Sequence, residues 1–347
     1  METKIYKQRI IIDWSLIQKL SQLDRFDAAW ASLEKSSKNS LSQLKTIATI
    51  RSIGSSTRIE GSQMSNEQVE ALLKNISINK FESRDEQEVA GYREALDIIT
   101  EDYDGLKISE NDIKGLHNIL MKYSEKDMWH KGDYKQLSNA VEATMANGDH
   151  KIIFKTTEAG YATQDAMRNL VEWYNSETDA HGLVTCAVFT YEFLSIHPFQ
   201  DGNGRMSRLL SNLLLLKNGY KWIQYVSFEH EIESRKAEYY RVLRLCQAGR
   251  PNEDITLWVN FFLDCLVNIQ HQLKDKLERN LQSAELSRRE QSIVSFVGEH
   301  PDCQSGEIIA TLEISPATAK RHLTKLVDEG VLIRIGNPRR PKYRVGK

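Results

Sequence analysis

Along most of this chain apolar residues recur every three to four positions, the spacing of helices that bury one face. Between positions 14 and 59 that face is lined by Leu41, Leu44, Ala48 and the run at 50–53. The same period predicts helices over 66–75, 83–99, 109–123, 163–174, 183–196, 206–216, 233–248 and 254–282. The helix at 183–196 carries Val184, Ala187, Val188, Tyr191, Leu194 and Ile196 and is apolar nearly all round, so it is the expected core helix. Pro198 stops it, because proline lacks an N–H and restricts the residue before it.

The helical period fails between 129 and 155. There Lys131-Gly132-Asp133-Tyr134-Lys135 leads through Val141 to Asn147-Gly148-Asp149, and Ile152-Ile153-Phe154 follows. Asn-Gly between extended runs predicts a β-hairpin. By default such a hairpin decorates a surface; near an active site it could take up an extended segment of a partner by strand addition.

A polar stretch at 274–287 reads as a helical connector to a separate unit. Beyond it come helices over 288–299 and 305–312, then Ser315-Pro316, an N-cap followed by proline at the first helical position, and a third helix to 329. Strands at 331–335 and 343–345 flank Asn337-Pro338-Arg339-Arg340-Pro341. Three helices and a hairpin make a winged helix-turn-helix. The expected fold class is mainly α, a helical core with one β-hairpin and this C-terminal unit. The expected divisions are 1–105, 106–275 and 285–347.

Composition narrows the function classes. At 347 residues the chain exceeds one ordinary domain, and 46 basic against 48 acidic residues leave a formal charge of −2. Nucleic-acid or membrane affinity therefore has to be local. It is local at the C-terminus: from 315 onward, Lys320, Arg321, Lys325, Arg334, Arg339, Arg340, Lys342, Arg344 and Lys347 face only Asp328 and Glu329. Such a patch suits the phosphates of duplex DNA, and winged helices also serve as protein-docking or dimerisation modules. Cys186, Cys246, Cys265 and Cys303 are scattered without a CxxC pair, as expected of reduced thiols in a cytoplasmic protein. The N-terminus has no apolar signal core, and the most apolar late run, 257–269, is broken by Asn260 and Asp264, so no membrane association is expected.

The densest chemistry lies at 196–208. Gly202-Asn203-Gly204 allows close backbone approach at the start of a helix, which makes an anion nest. Arg205 and Arg208, three apart, can fork onto phosphate oxygens, Asp201 is a hard oxygen ligand for magnesium, and His197 can take a proton near neutral pH. Walker A and dinucleotide patterns are lacking. Upstream, Ser56 and Glu60 sit one helical turn apart with Gly61 as the stop, which taken alone is an ordinary capped helix end.

His197-Pro198-Phe199-x-Asp201-Gly202-Asn203-Gly204-Arg205-x-x-Arg208 resembles the signature of Fic-domain proteins, and Ser56-x-x-x-Glu60-Gly61 resembles their inhibitory helix motif. The likeness spans roughly residues 40–270. It implies transfer of AMP from ATP, with Mg2+, to a Ser, Thr or Tyr hydroxyl of a target protein or of the chain itself, with release of pyrophosphate. It implies His197 as base and Asp201 as metal ligand. Asn203 and the amides of Gly202 and Gly204 would meet the phosphates, with Arg205 and Arg208 on the β and γ groups. The hairpin near Gly132 and Tyr134 becomes the flap that registers the target, and Tyr240 and Gln247 line adenine and ribose. Lys135 stands where the flap often has arginine, and Gln247 where asparagine is common.

A carboxylate at Glu60 near Arg208 would compete with the γ-phosphate for a charge-assisted pair, restraining the enzyme in cis. In some relatives the same glutamate supports AMP removal. The competing expectation is a DNA-binding regulator whose Fic-like domain only senses nucleotide. The target protein and a homodimeric arrangement are left open.

Overall fold

The computed structural model describes residues 2–36, 38–75, 81, 83–144, 150–284, 288–337 and 341–346. It divides into two compact units, one ending at Leu273 and one beginning at Lys274. Positions 1–105 and 106–273 belong to the same unit.

The first unit opens with an antiparallel pair, β1 (Glu2–Ile5) and β2 (Gln8–Ile11), in the register Glu2↔Ile11 to Ile5↔Gln8. The helical spacing gave no sign of it, since four-residue strands offer too few alternations to stand out. Two long helices follow, α1 (Trp14–Ser36) and α2 (Lys38–Ile59). Next come α3 (Asn66–Lys74), α4 (Arg84–Asp102) and α5 (Glu110–Leu120), each started by a serine. Ser65 and Ser83 form reciprocal capping boxes with Gln68 and Glu86, satisfying amides that the helix cannot.

The hairpin is β3 (Ala140–Thr144) and β4 (His150–Lys155), running from Ala140↔Lys155 to Thr144↔His150 with a register shift at Val141/Glu142. Its expected turn, Asn147-Gly148-Asp149, lies outside the described residues. Gly132, Tyr134 and Lys135 precede the strands, in an irregular segment.

The centre of the unit is α6 (Tyr161–Ser176), α7 (Gly182–Ile196) and α8 (Asn203–Lys217). Every residue of α7 from Leu183 to Ile196 is buried, as its all-round apolar sequence requires. The expected helix at 233–248 starts earlier and breaks at Arg235 into α9 (Phe228–Ser234) and α10 (Lys236–Gln247). The last helix, α11 (Thr256–Ala284), runs past the boundary between the units.

The second unit contains α12 (Arg288–Glu299), β5 (Cys303–Gln304), α13 (Ser305–Leu312), α14 (Pro316–Asp328), β6 (Leu332–Ile335) and β7 (Lys342–Val345). Its sheet has the order β5-β7-β6, so the two expected strands gain a third that two residues could not announce. Ile293, Val297, Ile308, Leu323, Leu326, Leu332 and Tyr343 form its core. Ser315 caps α14 through the Thr318 amide, with Pro316 opening the helix. Of the wing, positions 338–340, with Arg339 and Arg340, lie outside the described residues, as does Lys347.

Two helices meet closely at Gly91, where a Cβ would run into the carbonyl of Leu120. Alanine is the better helix former by about 1 kcal/mol, yet Gly91→Ala should destabilise the protein, because backbone cannot yield as a side chain can. The expected loss is about 1–3 kcal/mol, read from denaturant unfolding; a gain in stability would show that α4 and α5 can part without cost.

Candidate active site

The loop between α7 and α8 is shaped by backbone demands. His197 caps α7 in the left-handed conformation, φ 55 and ψ 60, with its amide on Phe193 O at 2.9 Å. The following proline disfavours a helical His197, so the chain turns here. Gly202 is also left-handed, φ 81, and a side chain there would press on the sulfur of Met121. Asn203 braces the loop from inside: its Oδ1 accepts from Phe199 N at 2.9 Å and its Nδ2 donates to Phe199 O at 2.8 Å. No side chain caps α8, so the first amides of this helix point at the site with the positive end of its dipole.

His117 of α5, to which the sequence reading assigned no role, supports the loop. Its ring lies flat on Phe199, centroids 3.7 Å apart and planes 4° from parallel. Gly132 N donates to Nδ1 at 3.0 Å, which leaves the proton on Nε2 to donate to Asp201 O, also 3.0 Å. Gly132, φ 80, is thus a strut beneath the loop. Tyr134 is buried against Phe199 with ring centroids 5.5 Å apart.

Asp201 is ringed by cations. Arg205 and Arg84 approach its carboxylate to 3.7 Å and Lys126 to 3.6 Å, and Gly202 N donates to Oδ1 at 2.6 Å. Burial pushes the carboxyl up, but these partners outweigh it and hold the pKa below the usual value. Arg205 also faces Glu88 at 3.6 Å. Although three positions from Arg205, Arg208 points to another element, the end of α2. Its Nε donates to Ser56 Oγ at 2.9 Å, and its Nη2 to Ser56 O at 3.0 Å and to Glu60 Oε1 at 2.7 Å.

Arg208 is 1% exposed. Burial works against its charge, and Glu60 together with Tyr239, Tyr92 and Tyr240 more than compensates, holding the guanidinium firmly protonated. Gly204 admits the carboxylate: a Cβ there would strike Glu60 Oε1. Gly61, φ 112, turns the chain out of α2. The end of α2 is also pinned to α9 by Arg58, which grips Glu233 with two bonds of 2.6 and 2.9 Å.

The distal assignments are looser. Tyr240 packs edge-on against Tyr239, and Gln247 is buried with Nε2 donating to Ser195 Oγ at 3.1 Å. Of the buried side-chain polar atoms left without a hydrogen-bond partner among the described residues, three are His197 Nδ1, Arg205 Nε and Arg208 Nη1. All three belong to the loop or the first two turns of α8, where an anion would meet the uncapped amides.

Residues 107–215, which hold this loop and its supports, match the Fic/DOC family, and residues 289–337 match the DeoR-like helix-turn-helix domain. Residues 107–215 form a Fic domain. A protein adenylyltransferase Fic from Drosophila willistoni is 28% identical over 252 residues, covering 72% of this chain and 46% of the fly protein. The relative from Drosophila persimilis is equally similar, over 45% of its length. The chain thus spans about half the length of the curated relatives it matches.

Among solved structures, a Fic family protein from Desulfovibrio desulfuricans superposes with a TM-score of 0.64 at 23% identity, over 96% of this chain and 97% of its own. A Fic domain containing signaling protein from Bacteroides thetaiotaomicron gives 0.53 at 24%, over 77% and 95%. These likenesses establish the fold. Among the described residues no helix is long and apolar enough to cross a membrane.

Two histidines of the Fic domain titrate abnormally. Burial, reinforced by neighbouring positive charge, lowers His197 and His117 from the ordinary 6.5 to about 4. Between those values the unfolded chain binds protons that the folded one does not, so stability falls as the pH drops below 6.5 toward 4. The expected loss is on the order of 2 kcal/mol per histidine by about pH 5. Thermal unfolding of the wild type and His197→Asn between pH 7 and pH 5 measures it; identical pH slopes would mean that His197 titrates normally.

Proposed function

We propose that this protein transfers AMP from ATP to a hydroxyl side chain of a protein, releasing pyrophosphate, and that Glu60 restrains the reaction in cis. The observation that carries the reading is the buried Arg208, shared between Ser56 and Glu60 and lying beside a loop whose phosphate-facing donors are unpaired. The adenylyltransferase relatives support the choice of reaction.

In this reading the triphosphate lies over the uncapped start of α8. Arg205 Nε and Arg208 Nη1 donate to its oxygens, and Tyr240 and Gln247 lie toward the nucleoside. His197, unprotonated at neutral pH, accepts the proton of the incoming hydroxyl. Oxygen of the hydroxyl bonds to the α-phosphorus, the bond to the β-phosphate oxygen breaks, and pyrophosphate carries away the electron pair. A pKa of about 4 makes a weak base; negative charge from a bound triphosphate would raise it. The deprotonated Asp201 is a fitting hard ligand for magnesium, which would take its other positions from phosphate and water. Bound there, magnesium supplies charge neutralisation along the phosphates.

Glu60 accepts from Arg208 Nη2, beside the Nη1 that would donate to a γ-phosphate, and its negative charge stands where that phosphate would approach. A charge-assisted pair at 2.7 Å on a buried partner is strong enough to divert the triphosphate into an unproductive pose. We extend the reading to AMP removal supported by the same carboxylate.

The second unit carries a further reading, contact with duplex DNA. Lys320 and Arg321 lie exposed on α14. The patch is smaller than the count of charges, because Lys325 pairs with Glu290 at 3.2 Å and Arg344 with Asp302 at 2.7 Å. Both partners precede position 315, where the charge count began.

Labelling with ATP bearing a radioactive α-phosphate tests the main reading. Glu60→Gly should raise incorporation into the chain or into lysate protein at least tenfold, and His197→Ala in that background should remove it. Salt-dependent binding to duplex DNA should survive His197→Ala. Nucleotide binding without transfer in Glu60→Gly would leave a sensor in place of an enzyme.

A further inference from the structure

Lys135 is 1% exposed, yet it is a lysine. Its ammonium has three N–H groups and three acceptors: Ile196 O at 3.1 Å, Asn139 Oδ1 at 2.9 Å and Thr156 Oγ1 at 2.8 Å. All three are neutral. Burying a cation on neutral acceptors is costly, and the burial lowers its pKa to about 8. An apolar side chain would fill the same space at lower cost, so packing does not explain the ammonium; three directed bonds do.

Those bonds join two parts of the site. Ile196 immediately precedes His197. Asn139 and Thr156 are the residues just outside the terminal pair of the hairpin, Ala140↔Lys155. Thr156 Oγ1 further lies 2.7 Å from Asn139 O, which closes the foot of the hairpin. From the same foot Asn139 Nδ2 donates to Phe199 O at 3.0 Å, and Lys135 N donates to Pro198 O at 2.8 Å. The carbonyls on both sides of His197 are therefore both held by Lys135, one by its side chain and one by its backbone.

His197 needs such restraint. Its left-handed backbone is unfavourable for a residue with a side chain. A base is effective only when held within a fraction of an ångström of its working position.

We propose that Lys135 is the positioning residue of His197, and that it sets the base and the hairpin foot in one rigid frame. A protein segment lying along the hairpin would then present its hydroxyl at a fixed distance from the imidazole. The inference rests on the transfer reading for its kinetic consequence, and on the hydrogen bonds alone for its structural one.

The test uses the full chain in the Glu60→Gly background. Lys135→Met keeps the volume and removes the bonds; Thr156→Val removes one of the two bonds from Lys135 to the hairpin foot, together with the Thr156–Asn139 contact that closes that foot. For AMP transfer, kcat should fall 10- to 100-fold in Lys135→Met and less in Thr156→Val, with KM for ATP unchanged within twofold and Tm equal or higher. The double variant should be no slower than Lys135→Met. Undiminished kcat, or a rise in KM that accounts for the loss, would overturn the proposal.

Nitrogen-15 spectra of the His197 ring give a second arm that needs no turnover. The resonances should shift and broaden in Lys135→Met; a ring signal indistinguishable from the parent would also overturn it. Should the Glu60→Gly parent transfer no AMP, the function reading fails while this arm still decides the role of Lys135. If Lys135→Met does not fold, Thr156→Val carries both readouts.

Discussion

A buried guanidinium must be paired where it lies, and much of the first unit is arranged around that requirement. Arg208 lies among the buried residues of α8 and finds its partners not on its own helix but at the end of α2. Leaving one partner of such a pair behind is expensive, because the remaining charge is desolvated without compensation. The position of α2 is therefore coupled to whatever anion occupies Arg208. Arg58 and Glu233 hold the same helix end from its other side, and Gly204 leaves the space into which the Glu60 carboxylate fits. In the proposed function restraint and nucleotide recognition would use one cation, and that identity is what would make the site a switch.

The rest of the loop is held by polar atoms on a short reach. Asn203 bonds the Phe199 peptide from within, His117 supports Phe199 and the Asp201 carbonyl from below, and Lys135 grips the carbonyls beside His197. The support is stiff because each of these groups is buried, so none can exchange its bond for water. A loop rich in glycine is usually mobile; this one is cross-linked at nearly every residue. Arg205 Nε and Arg208 Nη1, which would face an anion, are left unpaired.

The two ends of the chain show where pattern reading thins out. Helical periodicity located the long helices, and the winged helix followed from Ser315-Pro316 and two short extended runs. The pairs β1–β2 and the two-residue β5 escaped, since strands of two to four residues carry almost no periodic signal. The basic patch of the second unit was overcounted for a related reason: a tally along the chain ignores Glu290 and Asp302, which are distant in sequence and adjacent in space.

By itself the sequence determined the helical class, the loop at 197–208 and the pairing of chemical types within it, because those depend on neighbours a few positions apart. His197, Asp201, Arg205 and Arg208 could be named for that reason. Tertiary structure alone decided which element each of them meets. Arg205 and Arg208 share a helix face at three positions' spacing, yet one turns to Asp201 and Glu88 and the other to Ser56 and Glu60. His117 had no local signal at all and Lys135 only its place in the flap segment; a lone histidine in a helix and a lysine in a turn look like solvated surface. Their roles arise from burial and from partners 61 and 84 residues away, and burial is a property of the folded chain.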